Sequence, residues 1–74
     1  MNEVKIGNNI KTIRTSKQIS QKELAERLGI TPNYLSMIEN DAKKPSLTLM
    51  ERLSTALNIP LAAFFAELSL TQSN

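Results

Sequence analysis

Residues 21–40 read QKELAERLGITPNYLSMIEN, and the spacing of their apolar side chains decides the fold. Leu24, Ala25 and Leu28 form one helically spaced set, Leu35 and Ile38 another, with Ile30 just after Gly29 in the break between them. Gly29 can take the positive φ of a sharp turn at little steric cost, and the small Ala25 lets a second helix cross closely. Start signals agree with that division. Ser20 followed three residues later by Glu23 is a capping box for the first helix. Thr31 is the N-cap of the second, and Pro32 occupies its first position, where a missing N–H costs nothing.

Working outward, Ile6, Ile10 and Ile13 make a single apolar stripe on a helix from about Gly7 to Ser16. After residue 40 comes DAKKP, a basic turn closed by proline. Ser46 caps a fourth helix carrying Leu47, Leu49, Met50, Leu53, Ala56 and Leu57, an apolar surface broad enough for the central, most buried helix. Asn58 is its stop, and Pro60 starts a fifth helix, LAAFFAELSL, with residues 70–74 expected to fray. The expectation is an all-α, five-helix chain forming one domain over residues 1–74, with short connections.

Composition narrows the chemistry. A chain of 74 residues buries only about 60% of its unfolded surface, so it needs an economical helical core or a partner. Cysteine and histidine are both absent, which removes disulfides, Cys/His metal sites, thiol nucleophiles and imidazole bases. No paired acids surround a recognisable site. Neither an enzyme nor a bound cofactor or metal is expected. No apolar run approaches the roughly 20 residues of a membrane span, and MNEVKIGNNI lacks a signal-peptide stretch, so a cytosolic location is expected. Net charge is +2, but residues 1–44 hold eight of nine Lys/Arg and five of seven Asp/Glu, a local net of +3. That half contains the two-helix unit, which suits a partner made of phosphates.

Two helices joined in this way have the logic of a helix-turn-helix, whose second helix is presented outward to enter a DNA major groove. The combination SQKELAERLGIT, a helix ending IEN, PSL and ERLSTALNIP resembles the Cro/lambda-repressor-type, or XRE, family of helix-turn-helix proteins over about Ile6 to Phe65. IPLAAFF is similar to the ending of stand-alone controllers and small regulators. The resemblance implies a compact five-helix domain that binds double-stranded operator DNA as a homodimer. Family members include repressors, controllers of restriction-modification operons, and antitoxins that also contact a toxin, so a protein partner is the alternative.

The resemblance also points to residues. Gln21, first in helix two, approaches a phosphate in the family, where its amide can donate beside a positive helix N-terminus. Thr31, Pro32, Asn33, Ser36 and Met37 are expected on the outward face of helix three. Asn33 is the strongest base reader, since an amide can bond adenine N6 and N7 together. Thr31 serves as a cap as well, and its hydroxyl cannot fully serve both roles. Ser36 can reach a base or a phosphate, Met37 can pack on a thymine methyl, and Pro32 offers only apolar contact. Helix three has no arginine, so the commonest guanine contact is missing, and either specificity is modest or much of it comes from DNA shape. Tyr34 can pad the core edge while its hydroxyl reaches a phosphate. Asn40, Lys43 and Lys44 match positions of further backbone contacts.

Arg14 and Glu39 border the core where helices one and three meet, and the resemblance implies an ion pair. One departure stands out. Where the family commonly has glycine, this chain has Asp41, which tolerates a left-handed conformation better than most residues but adds a repulsive charge near the phosphates. On helix five, Leu61, Phe64, Phe65 and Leu68 share a stripe, but two adjacent phenylalanines cannot both fill one small core. Phe65, with Leu61 or Leu68, is the candidate dimer contact.

Overall fold

The computed structural model describes residues 5–66. Four α-helices follow in order: α1 (Ile6–Ser16), α2 (Gln21–Leu28), α3 (Pro32–Glu39) and α4 (Leu47–Leu57). A 3-10 turn, Leu61–Phe65, comes last. α3 packs on α1 and α2, α4 packs on α2, and the 3-10 turn closes against α1 and α4.

Starts follow the caps read from sequence. Ser20 Oγ accepts the Glu23 N–H, Thr31 Oγ1 the Tyr34 N–H, and Ser46 Oγ the Leu49 N–H. Each satisfies one of the orphan donors of a first turn. Glu23 completes only half of the capping box. Its carboxylate turns to Arg27, 2.5 Å away on the exposed face.

All four helices end alike. Gln18, Gly29, Asp41 and Asn58 take left-handed φ values of 59°, 73°, 61° and 55°. In each case this residue donates its N–H to the carbonyl three back. The next residue donates to the carbonyl five back: Ile19 to Arg14, Ile30 to Ala25, Ala42 to Met37 and Ile59 to Ser54. This is the Schellman arrangement, which satisfies carbonyls left open at a helix end. Ile19, Ile30 and Ile59 then fold back onto the core. Only one of the four left-handed positions is glycine.

The core is Ile10, Leu24, Ala25, Leu28, Leu35, Ile38, Leu49, Met50, Leu53, Leu57 and Phe64. α4 supplies four of these, as its broad apolar surface requires, but Leu47 departs from that pattern. It is the first residue of α4 and stays 64% exposed, because the first turn projects beyond the core.

The fifth element also differs from expectation. The helical turn closes at Phe65, and Ala66 is extended. The buried amide of Asn9 explains this stop. Its Nδ2 donates to the carbonyls of Phe64 and Ala66, both at 2.7 Å, drawing the backbone toward α1 instead of along a helix axis. The rest of the proposed helix, with Leu68 and the expected frayed tail at 70–74, lies outside the described residues.

α1 and α3 touch through backbone. A Cβ built on Gly7 would lie 2.0 Å from the Ile38 carbonyl oxygen, so only glycine permits this approach. Gly7→Ala should destabilise the domain by about 1–3 kcal/mol through forced separation of the two helices. That corresponds to a fall in Tm of at least about 4 °C. A melting curve superimposable on the parent's would overturn the close-packing account.

Candidate nucleic-acid interface

The left-handed Gly29 turns the chain between α2 and α3, and Leu24, Leu28, Leu35 and Ile38 bury the inner faces of both helices. What remains outward on α3 is the strip of residues the sequence singled out. Thr31, Pro32, Asn33 and Asn40 are exposed, while Tyr34, Ser36 and Met37 are half-buried. Thr31 acts as the cap, with its oxygen taken by the Tyr34 N–H at 3.0 Å. Its hydroxyl proton is still a donor. The ring of Tyr34 packs against the core edge.

Two rows one helical turn apart organise the strip. Asn33 lies over Met37, with Nδ2 3.9 Å from the thioether sulfur, and Asn40 lies over Ser36, with Nδ2 3.5 Å from Oγ. Both contacts are weak, so the amides can exchange them for a better partner at little cost. The surface is chemically sparse: two amides, a hydroxyl or two, and the apolar Pro32 and Met37.

Lys43 and Lys44 follow in the exposed turn after α3, placed by the Schellman bonds at Asp41. Here the structure accounts for the departure from glycine. Asp41 adopts the left-handed conformation the turn requires, and its Oδ1 accepts the N–H of Gly7 at 3.0 Å. The N-cap residue of α1, Lys5, offers no side-chain bond, so Asp41 caps α1 from the end of the neighbouring α3. Its charge faces a helix N-terminus, where negative charge is favoured, and is anchored there.

Arg14 and Glu39 do form the ion pair implied by the resemblance, with side chains only 9% and 2% exposed. Arg14 Nε and Nη2 reach the two carboxylate oxygens at 2.7 and 3.1 Å, and Nη1 donates to the Ile19 carbonyl at 2.8 Å. Gln21 joins this pair. Its Nε2 donates to Glu39 Oε1 at 3.0 Å, so one amide proton is engaged inside the protein. No sequence pattern signalled that bond, because residues 21 and 39 belong to different helices.

Among the sequence-proposed dimer residues, Phe65 is 48% exposed and Leu61 packs partly onto the core. Leu68 is outside the described residues. Sequence reasoning missed Leu47, assigned to the buried face of α4. Leu47 and Phe65, with Met50, line the apolar side of a groove of about 560 Å³ that is bordered by Lys5, Lys43 and Lys44. Its basic rim therefore overlaps the turn that follows α3. Among the described residues no acidic cluster could hold a metal ion, and no helix is long and apolar enough to cross a membrane.

A family model described as helix-turn-helix matches residues 10–64, from the buried face of α1 through the 3-10 turn. The chain belongs to this helix-turn-helix family. Relatives agree with that placement. The immunity repressor of Bacillus phage phi105 is 37% identical over 62 residues, covering 84% of this chain and 43% of the repressor. This chain thus spans less than half of that relative's length. Control protein C.MunI of a Mycoplasma species is 35% identical over 71 residues, covering 92% of this chain and 96% of the relative. The N-terminal DNA-binding domain of SinR from Bacillus subtilis superposes with a TM-score of 0.77 at 34% identity, over 89% of this chain and 97% of that one. The helix-turn-helix signature in residues 21–40 is therefore genuine, and the core-facing residues that carried it are buried as the pattern required.

Proposed function

We propose that this chain is a sequence-specific DNA-binding regulator of transcription, of the repressor or operon-controller kind, and not an enzyme. One observation carries the reading. The outward strip of α3, from Thr31 through Asn33, Ser36, Met37 and Asn40, is followed directly in the chain by the exposed turn that carries Lys43 and Lys44. That puts base-edge donors next to phosphate-binding charge on a helix held from behind by its partner helices. The names of the phage repressor, the control protein and the SinR DNA-binding domain support it. This function locates the protein in the cytosol, with its DNA.

One α3 strip offers few contacts, and a homodimer would double them. Two α3 helices about 34 Å apart would read a two-fold symmetric operator from successive major grooves. Phe65 and Leu47 are the large apolar side chains exposed among the described residues, and they share one groove. They are the proposed pairing surface, with Leu61, which shares the 3-10 turn with Phe65 and packs partly onto the core.

The test is selection of binding sites from random duplexes, read by sequencing, with variants run in parallel. Asn33→Ala should flatten preference at one base pair per half-site, a loss of about 1–3 kcal/mol of discrimination there. Lys43→Ala and Lys44→Ala should weaken binding to every duplex and each reduce the salt slope by about one. If the parent protein enriches no motif, the operator reading fails. An Asn33→Ala profile identical to the parent's would remove Asn33 as a reader.

A further inference from the structure

Glu39 sits at the last position of α3 and receives three hydrogen bonds from two elements. Oε2 accepts from Arg14 Nε, while Oε1 accepts from both Arg14 Nη2 and Gln21 Nε2. Arg14 is itself held at the Ile19 carbonyl, in the link between α1 and α2. The carboxylate is therefore fixed in position and buried, with its charge matched by the guanidinium. Gln21, at the first position of α2, is half-buried, whereas the Arg14 and Glu39 side chains it joins are buried.

An ion pair accounts for Arg14 and Glu39 but not for the third bond. A primary amide has a donor end and an acceptor end, and on a surface it samples both orientations. A carboxylate only accepts. Placed 3.0 Å from the Gln21 amide, Glu39 admits the nitrogen and repels the carbonyl oxygen. The amide orientation is thus set by chemistry. With one N–H spent on Glu39, planarity directs the second N–H away from it.

We propose that Glu39 is a positioning residue for DNA binding: fixed by Arg14, it orients the Gln21 amide so that the second N–H is offered to a backbone phosphate beside the α2 N-terminus. The inference rests on the DNA-binding reading above and deepens it. Without Glu39, Gln21 would present its carbonyl oxygen to the phosphate in part of the population, and would have to be ordered on binding. The ion pair then has a second task besides stability: it transmits the position of α3 to a phosphate contact on α2. Both helices would engage the duplex in one fixed register.

Phosphate contacts carry no sequence information, so the probe is a fluorescently labelled mixed-sequence duplex at low salt, read by anisotropy. Four proteins are compared at a temperature where circular dichroism shows each to be folded: parent, Gln21→Ala, Glu39→Gln and the double variant. Gln21→Ala should weaken binding about tenfold, as expected for loss of a hydrogen bond to a charged group. Glu39→Gln should cost a smaller factor, about two- to threefold, because the amide is then free to present either end, and the double variant should bind no more weakly than Gln21→Ala alone. Losses that multiply would show that Glu39 acts apart from Gln21, and would overturn the proposal. No loss in Gln21→Ala, with the parent still binding, would remove the phosphate contact and the proposal while leaving DNA binding intact. A parent that binds no duplex would overturn the functional reading itself.

Should Glu39→Gln not fold, the parent protein supplies the measurement. Nitrogen-15 spectra should show one Gln21 side-chain proton protected from exchange in the free protein, and the other shifting when duplex is added. Both protons exchanging as fast as those of exposed Gln18 would overturn the proposal.

Discussion

Arg14→Ala should unfold much of the domain at temperatures where the parent is intact. The substitution strands the Glu39 carboxylate, 2% exposed, with only Gln21 to donate to it, and leaves the Ile19 carbonyl without the Arg14 donor. Removing one partner of a buried ion pair costs about 3–5 kcal/mol. A domain of this size has roughly 5–10 kcal/mol in total, so about half of its stability is at stake. Tm should fall by about 12 °C or more. The loss arises from the uncompensated charge. Replacing both residues, as in Arg14→Met with Glu39→Leu, should therefore recover much of what the single change removes. Thermal melting followed by circular dichroism decides the matter, and an unchanged Tm for Arg14→Ala would refute it. Measured on the folded fraction, the free-energy change in DNA binding should be smaller than the change in stability.

Two neighbouring phenylalanines should behave in opposite ways. Phe64 is fully buried, and Phe64→Ala opens a cavity beneath the 3-10 turn that should cost about 3–5 kcal/mol. Phe65 is 48% exposed in the single chain, and Phe65→Ala should change the stability of the isolated domain by about 0.5 kcal/mol or less. Its effect should appear in self-association, weakened at least about tenfold if Phe65 is an aromatic anchor of the pair. Sedimentation and melting together separate the two roles. A parent protein that stays monomeric at micromolar concentration, with no pairing induced by DNA, would sink the dimer.

The helix ends show how far local sequence reaches. The caps at Ser20, Thr31 and Ser46 are formed by hydroxyls acting within three residues of themselves, so their effect is legible from spacing alone. Stops at Gly29 and Asn58 were legible for the same reason. Gln18 was not, since glutamine is no habitual left-handed residue. Its signal lies in the next position, where Ile19 repeats the apolar residue that follows Gly29 and Asn58. The strip on α3 and the lysines after it could likewise be named from sequence, because helical periodicity fixes which side faces away from the core.

Other features depend on chain segments that are far apart in sequence. The fifth element looked like a helix because its apolar spacing is helical, yet Asn9, more than fifty residues away, takes its carbonyls and ends the turn at Phe65. Asp41 looked like a liability in a turn near phosphates, but its carboxylate caps α1 at Gly7. Leu47 belongs to an apolar stripe and nevertheless lies at its exposed end, where it joins Phe65 in one groove. The sequence by itself determined the helices, most of their ends, the buried faces and the outward reading strip, because those follow from interactions between near neighbours and from periodicity. The tertiary structure decided which polar groups meet across helices: Asn9 with the 3-10 turn, Asp41 with Gly7, Gln21 with Glu39. Such contacts join separate segments, and their partners are settled only when the packed helices bring donors within about 3 Å of acceptors.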